Sequence, residues 1–357
     1  MKYYVIAGEA SGDLYASDLV RALQSLDPAS EIRFRGSDAA TAVMGGVELL
    51  GSARRIGARL AACKREIRDW RPDVVILVDY PGFNLRVARY AKAQGRKVAW
   101  YIAPKVWAHR AGRVRALRRN VDALYCVFPF EPAWFRAHGI EPRYFGNPLV
   151  DSLAGTSFAP VGEGKMIALL AGSREMELEF LLPRFVKLAA LLRADPRMSG
   201  YRLVLAAAPS LSQAAYERRI PAGTGIEVLS GRTRDILHQA DAAVVCSGTA
   251  SLEAALIGTP QVVCYGLHPL SFAIAKRTVK VPYASLVNLV LDRPAVPELL
   301  QRDASPEKMR QALEQLLLDT SCREKMAADY KELKHVLGDA GATARTAKDM
   351  YETFARI

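Results

Sequence analysis

Short apolar runs alternate with longer stretches in which hydrophobic positions recur at helical spacing, from the amino terminus to about residue 265. Runs over 3–7, 32–35, 74–78, 98–102, 123–127 and 143–145 read as buried parallel strands, with helical patterns over 13–26, 57–69 and 84–93 between them. The alternation breaks at 146–164, a segment with Gly, Ser and Pro that has the composition of a connection. A second series of strands follows over 166–170, 201–206, 226–229, 242–246 and 261–265, and from Ser305 onward the pattern is helical. The expectation is an α/β protein of two doubly wound, Rossmann-like domains, 1–150 and 166–338, joined by a linker at 151–165. Their strand carboxyl ends would face a cleft, and a helical tail at 339–357 could cross back to the first domain.

Composition narrows the class. Of 357 residues, 50% are hydrophobic and 24% charged, so neither disorder nor a fibrous repeat fits. Forty-nine Lys and Arg against 37 Asp and Glu leave a net charge of +12, which favours an anionic partner: nucleic acid, a phosphorylated metabolite or an acidic membrane surface. Five cysteines lie scattered with no C-x-x-C pair and read as thiols in a reducing compartment, with no structural zinc site. The amino terminus, MKYYVIAGEASGD, runs directly into a strand and a glycine turn without the apolar core of a signal peptide, and no uninterrupted apolar stretch is long enough to span a bilayer. The cytoplasm is the expected address.

Five constellations could carry chemistry. Gly8-Glu9-Ala10-Ser11-Gly12-Asp13 follows the first strand and opens the first helix, where small residues allow close approach and free N–H groups attract an anion; it is equally a tight turn with Asp13 at the helix start. Asp79, in VDYPGFN at a strand end, is a candidate general base or a turn cap. The run KVWAHRAGRVRALRR over 105–119 suits phosphates, an anionic membrane, or simply solvent. Arg174, in LAGSR, and the turn Ser247-Gly248-Thr249 in CSGTASLE each sit between a strand and a helix. Together they point to a nucleotide diphosphate, with Glu253 one turn inward able to accept from ribose hydroxyls. No P-loop, H-E-x-x-H, G-x-S-x-G or histidine cluster is present, which leaves a transfer that uses no metal and no organic cofactor.

Taken in order, AGEASGD, VMGGVELL, VDYPGFNL, YIAPKVWAHRAGRV, FPFEPAWF, LLAGSR, SGTASLEAAL and VPYASLVNLV resemble the motif series of the lipid-A-disaccharide synthases, over essentially the whole chain. The resemblance implies a GT-B glycosyltransferase joining UDP-2,3-diacylglucosamine to 2,3-diacylglucosamine 1-phosphate, with inversion and release of UDP. It implies Asp79 as base, with Glu9 also in the catalytic set. Glu9 and Ser11 would line the acceptor side, Gly12 would belong to the same binding turn, and Arg174, Ser247, Gly248, Thr249, Glu253 and Asn288 would surround UDP. Because both substrates are acylated, it further implies an enzyme peripheral on the inner face of the inner membrane. Val43, Met44, Val47, Leu49 and Leu50 would enter lipid, with Arg54, Arg55 and Arg59 at head groups; an ordinary core segment with a basic helix behind it has the same pattern. No nucleic-acid partner is expected on this reading, and a homodimer is compatible with it.

Three departures from the family stand out. The stretch between Gly36 and Met44 is shorter than usual, DYPGFN replaces DAPDFN and leaves Asp79 as the sole carboxylate of its motif, and APKVWAH replaces S-P-x-x-W-A-W. Rival readings are another GT-B sugar-nucleotide enzyme, such as a UDP-sugar epimerase or a different glycolipid glycosyltransferase, a nucleic-acid-binding protein, and an inactive scaffold.

Overall fold

The computed structural model describes residues 1–8, 10–36, 49–108, 111–267, 272 and 281–355, and the side chains of all of these except 10, 11 and 49–53. The chain divides into two compact units, one of Met1–Ser152 with Leu337–Ile357 and one of Leu153–Val336.

The first unit is built on strands β1 (Lys2–Ala7), β2 (Glu31–Arg35), β3 (Val74–Val78), β4 (Lys97–Tyr101), β5 (Ala123–Cys126) and β6 (Arg143–Tyr144). All pair in parallel in the order β2-β1-β3-β4-β5-β6. The central runs YYVIA and VVILV are buried throughout, as strands covered on both faces require, whereas edge strand β2 is only half-buried or exposed. Helices α1 (Ala10–Leu26), α2 (Leu49–Trp70), α3 (Pro81–Ala93), α4 (Val114–Asn120), α5 (Glu131–Ala137) and α6 (Pro148–Leu153) connect the strands. Right-handed crossovers from a strand order that reverses after β2 place α1 on one face of the sheet and α2, α3 and α4 on the other. Accordingly α2 packs on α3 and α3 on α4.

The second unit repeats the scheme with β7 (Met166–Leu170), α7 (Glu175–Ala194), β8 (Arg202–Ala207), α8 (Gln213–Glu217), β9 (Ile226–Ser230), α9 (Thr233–Gln239), β10 (Ala242–Cys246), α10 (Thr249–Ile257), β11 (Gln261–Tyr265), α11 (Leu286–Leu291), β12 (Glu298–Leu300), α12 (Pro306–Leu318) and α13 (Thr320–Leu337). Its parallel order is β12-β11-β10-β7-β8-β9, around a core that includes Met166, Leu170, Val204, Ile236 and Val245. Strand β12 is absent from the sequence expectation, because three half-buried residues carry no periodicity to read.

The last helix, α14 (Ala342–Ala355), belongs to the first unit and packs on α1. Asp151 holds its start: the carboxylate accepts the N–H groups of Gly341 at 2.7 Å, Ala342 at 3.0 Å and Thr343 at 2.6 Å, donors that a helix N-terminus otherwise leaves unpaired. The Tyr125 hydroxyl donates to Asp349 at 2.9 Å farther along the helix.

Candidate active site

In an open parallel sheet, ligands gather outside the strand carboxyl ends where the strand order reverses. In the first unit that point lies between β1 and β3, whose last paired residues are Ala7 and Val78. The loops leaving it are the two singled out from sequence, GEASGD after β1 and DYPGF after β3. In the second unit the reversal lies between β7 and β10, with Leu170 opposite Val245, and the loops leaving it are AGSR and SGT.

The first switch point carries unusual backbone. Asp79 and Tyr80 are consecutive non-glycine residues in the left-handed region, at φ 44° and 48°, and Ile102, following β4, has φ 61°. Such conformations cost energy, most of all for a β-branched residue, and they persist where surrounding structure enforces them. Asn84 does the enforcing at β3: fully buried, it donates through Nδ2 to the carbonyls of Asp79 at 2.8 Å and Val78 at 3.2 Å. Pro81 begins α3 immediately after the turn, and the Tyr80 ring stacks on Phe83 at 5.6 Å. The two loops touch, since a Cβ on Gly8 would lie 2.2 Å from Cγ of Tyr80. Asp79 is half-buried. Gly12 packs at the start of α1, where an added Cβ would meet Ala7 and Val78 at an ordinary 3.7 Å.

Glu9 lies outside the described residues, as do Val43, Met44 and Val47; Ser11, Leu49 and Leu50 are described only in their helical backbone. Arg59 is not a head-group contact. It is buried, donates to the carbonyls of Ala7 at 3.1 Å and of Gly36, and lies over the Phe83 ring, so it ties α2 to the ends of β1 and β2. Arg54 and Arg55 are exposed.

Beside the same sheet edge, Glu131 is fully buried at the start of α5. It accepts the indole N–H of Trp107 at 2.9 Å and the backbone N–H groups of Val127 at 2.9 Å and Phe128 at 3.0 Å, and so fastens the loop after β4 to the turn after β5. Burial raises its pKa to about 7 against these three donors, which favour the charged form. The sequence signal was a lone acid within the aromatic run FPFEPAWF.

In the second unit the two helix starts differ. At α7, Glu177 turns back to accept the N–H groups of Ser173 at 2.8 Å and Arg174 at 3.2 Å, while Nη1 of Arg174 donates to its other oxygen at 3.2 Å. This arrangement requires Gly172, at φ 99°, because a Cβ there would lie 2.2 Å from the Glu177 carboxylate. A protein carboxylate therefore occupies the N–H groups of Ser173 and Arg174, two of the donors that an anion at this turn would use. At α10, with Gly248 at the N-cap, no side chain among the described residues bonds the first N–H groups, and none of the described residues lies within 4 Å of where a Gly248 Cβ would be. Among the described residues, that start is open to an anion. Ser247 donates to the carbonyl of Ala284 at 2.7 Å, and Thr249 is half-buried. Glu253 accepts from Arg234 at 2.8 Å.

Asn288 is committed to its own chain. Its Nδ2 donates to the Val296 carbonyl at 2.9 Å and Glu298 at 2.8 Å, and its Oδ1 accepts the Val296 N–H at 2.9 Å. Glu298 also accepts the N–H groups of Ala284 at 2.9 Å and Ser285 at 2.8 Å. Asn288 thus positions the loop on which Ser247 rests. Sequence reasoning passed over Glu177, Glu298, Tyr80 and Asn84; only Glu177 left a local sign, an acid three residues after the turn, where a capping box has one.

Comparison with known proteins follows this geometry. A family model described as lipid-A-disaccharide synthetase matches residues 3–349. The chain is 36% identical to a lipid-A-disaccharide synthase of Myxococcus xanthus, over 98% of this chain and 96% of that one. It is 37% identical to one of Anaeromyxobacter dehalogenans, over 97% and 96%. Among solved structures it resembles a UDP-GlcNAc 2-epimerase of Methanocaldococcus jannaschii in complex with UDP-GlcNAc and UDP, with a TM-score of 0.68, 13% identity and coverage of 99% and 100%. It also resembles a calicheamicin glycosyltransferase, with a TM-score of 0.62, 16% identity and coverage of 100% and 98%. At that identity the structural likeness establishes the two-unit fold alone.

Proposed function

The chain belongs to the lipid-A-disaccharide synthase family, glycosyltransferases of lipid A biosynthesis, and from that premise we propose that it transfers 2,3-diacylglucosamine from UDP to 2,3-diacylglucosamine 1-phosphate. The acceptor 6-hydroxyl attacks the anomeric carbon, the bond to the UDP oxygen breaks, and the new β-1,6 linkage forms with inversion. Asp79 takes the hydroxyl proton, and Glu9, Ser11 and Gly12 line the acceptor side. The departing diphosphate is held at the start of α10 by Gly248 and Thr249 with Arg174, while Ser247 and Asn288 position that region and Glu253 meets the ribose.

The observation that carries this reading is that both strand-order reversals fall at the loops bearing these residues, with Asp79 at a turn strained and pinned by Asn84. The uncapped start of α10 beside the self-capped start of α7 supports assigning the diphosphate to α10. Family membership favours transfer over epimerisation, the activity printed for the archaeal neighbour. No helix among the described residues is long and apolar enough to cross a membrane. The acyl chains of the proposed substrates call for a bilayer surface, on this reading the inner face of the inner membrane.

The test is Asp79→Asn. Turnover should fall by at least about a hundredfold, the usual worth of a general base, with UDP affinity retained. Near-normal turnover would remove Asp79 from the role.

A further inference from the structure

The net positive charge is concentrated on one layer. Helices α2, α3 and α4, which pack side by side on one face of the first sheet, carry twelve Lys and Arg against two acids. On the opposite face α1 and α14 carry three basic residues against four acids. Most of the whole chain's +12 therefore resides on three neighbouring helices.

Some arginines elsewhere are neutralised, such as Arg197 with Asp195 and Glu314, or Arg293 with Asp329 and Glu332, while Arg193, Arg218 and Arg323 stand exposed with no ion pair among the described residues. The two acids of α2 are taken by Arg35 and Arg68. Arg86 and Arg89 on α3, and Arg115, Arg118 and Arg119 on α4, are exposed and make no ion pair among the described residues. Their spacing sets them on the outer faces of their helices, opposite the buried stripes Phe83, Val87 and Ala91 on α3 and Val114 and Leu117 on α4. Adjacent like charges without counter-ions raise the energy of the folded chain, and an anionic surface lowers it.

We propose that the α2–α3–α4 face of the first unit docks on a bilayer rich in anionic phospholipid. Broad, shallow and distributed over three helices, the charge matches a plane of head groups. The inference rests on the reading that this chain works on membrane-embedded glycolipids, but the surface is defined by charge alone.

The experiment uses the full-length protein and a variant with Arg86, Arg89, Arg115, Arg118 and Arg119 all changed to Gln. A control variant changes Lys325, Lys331 and Lys334, exposed on α13 of the second unit, to Gln. Co-sedimentation is measured with phosphatidylglycerol vesicles, with phosphatidylcholine vesicles and at raised salt, alongside filter binding to duplex DNA and UDP release from detergent-solubilised substrates. Each arginine near an anionic surface is worth about fivefold in affinity, so the quintuple variant should lose at least about a hundredfold towards phosphatidylglycerol while the control keeps its binding. Wild-type binding should weaken with salt and be slight on phosphatidylcholine. Unchanged vesicle binding by the quintuple variant would overturn the proposal, and so would DNA binding tighter than vesicle binding and lost in that variant. UDP release in detergent should be equal in wild type and the quintuple variant. Its absence from both, with vesicle binding lost only in the variant, would leave the docking face standing and refute the glycosyltransferase reading instead.

Discussion

Replacing Gly8 with Ala adds one methyl group, and its neighbours decide the outcome. The new Cβ would stand 2.2, 2.3 and 2.6 Å from Cγ, Cδ1 and Cβ of Tyr80, so the ring must withdraw by about 1.5 Å to reach van der Waals contact. Little freedom exists for that. Tyr80 lies at φ 48° between Asp79 and Pro81, its ring stacks on Phe83, and Asn84 fixes the carbonyls on either side of the turn's entry. The displacement therefore passes into the turn that carries Asp79. Overpacking of this kind costs about 1–3 kcal/mol in stability, and a catalytic group misplaced by about 1 Å loses about a hundredfold in rate. Gly12→Ala in the same motif is the internal control, because its Cβ finds Ala7 and Val78 at 3.7 Å and fits. The assay is initial-rate UDP release with thermal melts on Gly8→Ala, Gly12→Ala and Gly8→Ala combined with Tyr80→Ala. The account expects a large fall in kcat and a lower Tm for the first, near wild-type stability for the second, and only part of the lost stability recovered in the third, since the Tyr80 ring is gone while the Cβ at position 80, 2.6 Å away, remains. Wild-type kcat/KM and Tm in Gly8→Ala would refute the reasoning.

Two further predictions concern the scaffold. Because burial lifts Glu131 from 4.5 to about 7, the folded chain holds a proton between those values that the unfolded chain has released, so this group's contribution to stability falls as pH rises, by about 3 kcal/mol in all. Denaturant unfolding from pH 4.5 to 7.5 should show that decline in wild type and lack it in Glu131→Gln; parallel pH slopes would contradict it. Asp151→Ala strips three N–H groups of their acceptor at the start of α14, which should cost about 1–2 kcal/mol and open 338–341 to limited proteolysis. An unchanged digest and melt would show that α14 is held by its packing on α1 alone.

The architecture was legible because β3, β7 and β10 are each a short, wholly apolar run, and two faces of helices leave no other way to bury such strands. Loops at the strand ends were legible for the same reason. The roles of acids inside them were not. Glu131, Glu177 and Glu298 each satisfy backbone N–H groups of a loop: Glu131 and Glu177 reach back three and four residues, whereas Glu298 takes Ala284 and Ser285, a pairing set by tertiary neighbours rather than by spacing. Asn288 was placed at UDP by the family resemblance alone, yet it is buried in the apolar helix Leu286–Leu291 and the segment at Val296 returns to take its amide. Arg59 was misread for want of one check: it falls in register with Cys63 and Ile67, four and eight residues on, which places it on the buried side of α2. Backbone strain at Asp79, Tyr80 and Ile102 has no sequence signature, since none of the three is glycine.

The most direct measurement is UDP release from UDP-2,3-diacylglucosamine in mixed micelles, with and without 2,3-diacylglucosamine 1-phosphate, over several acyl lengths. The account predicts release that depends on the acceptor and matches a disaccharide 1-phosphate in amount. Measurable UDP binding without acceptor-dependent release at any acyl length would contradict it.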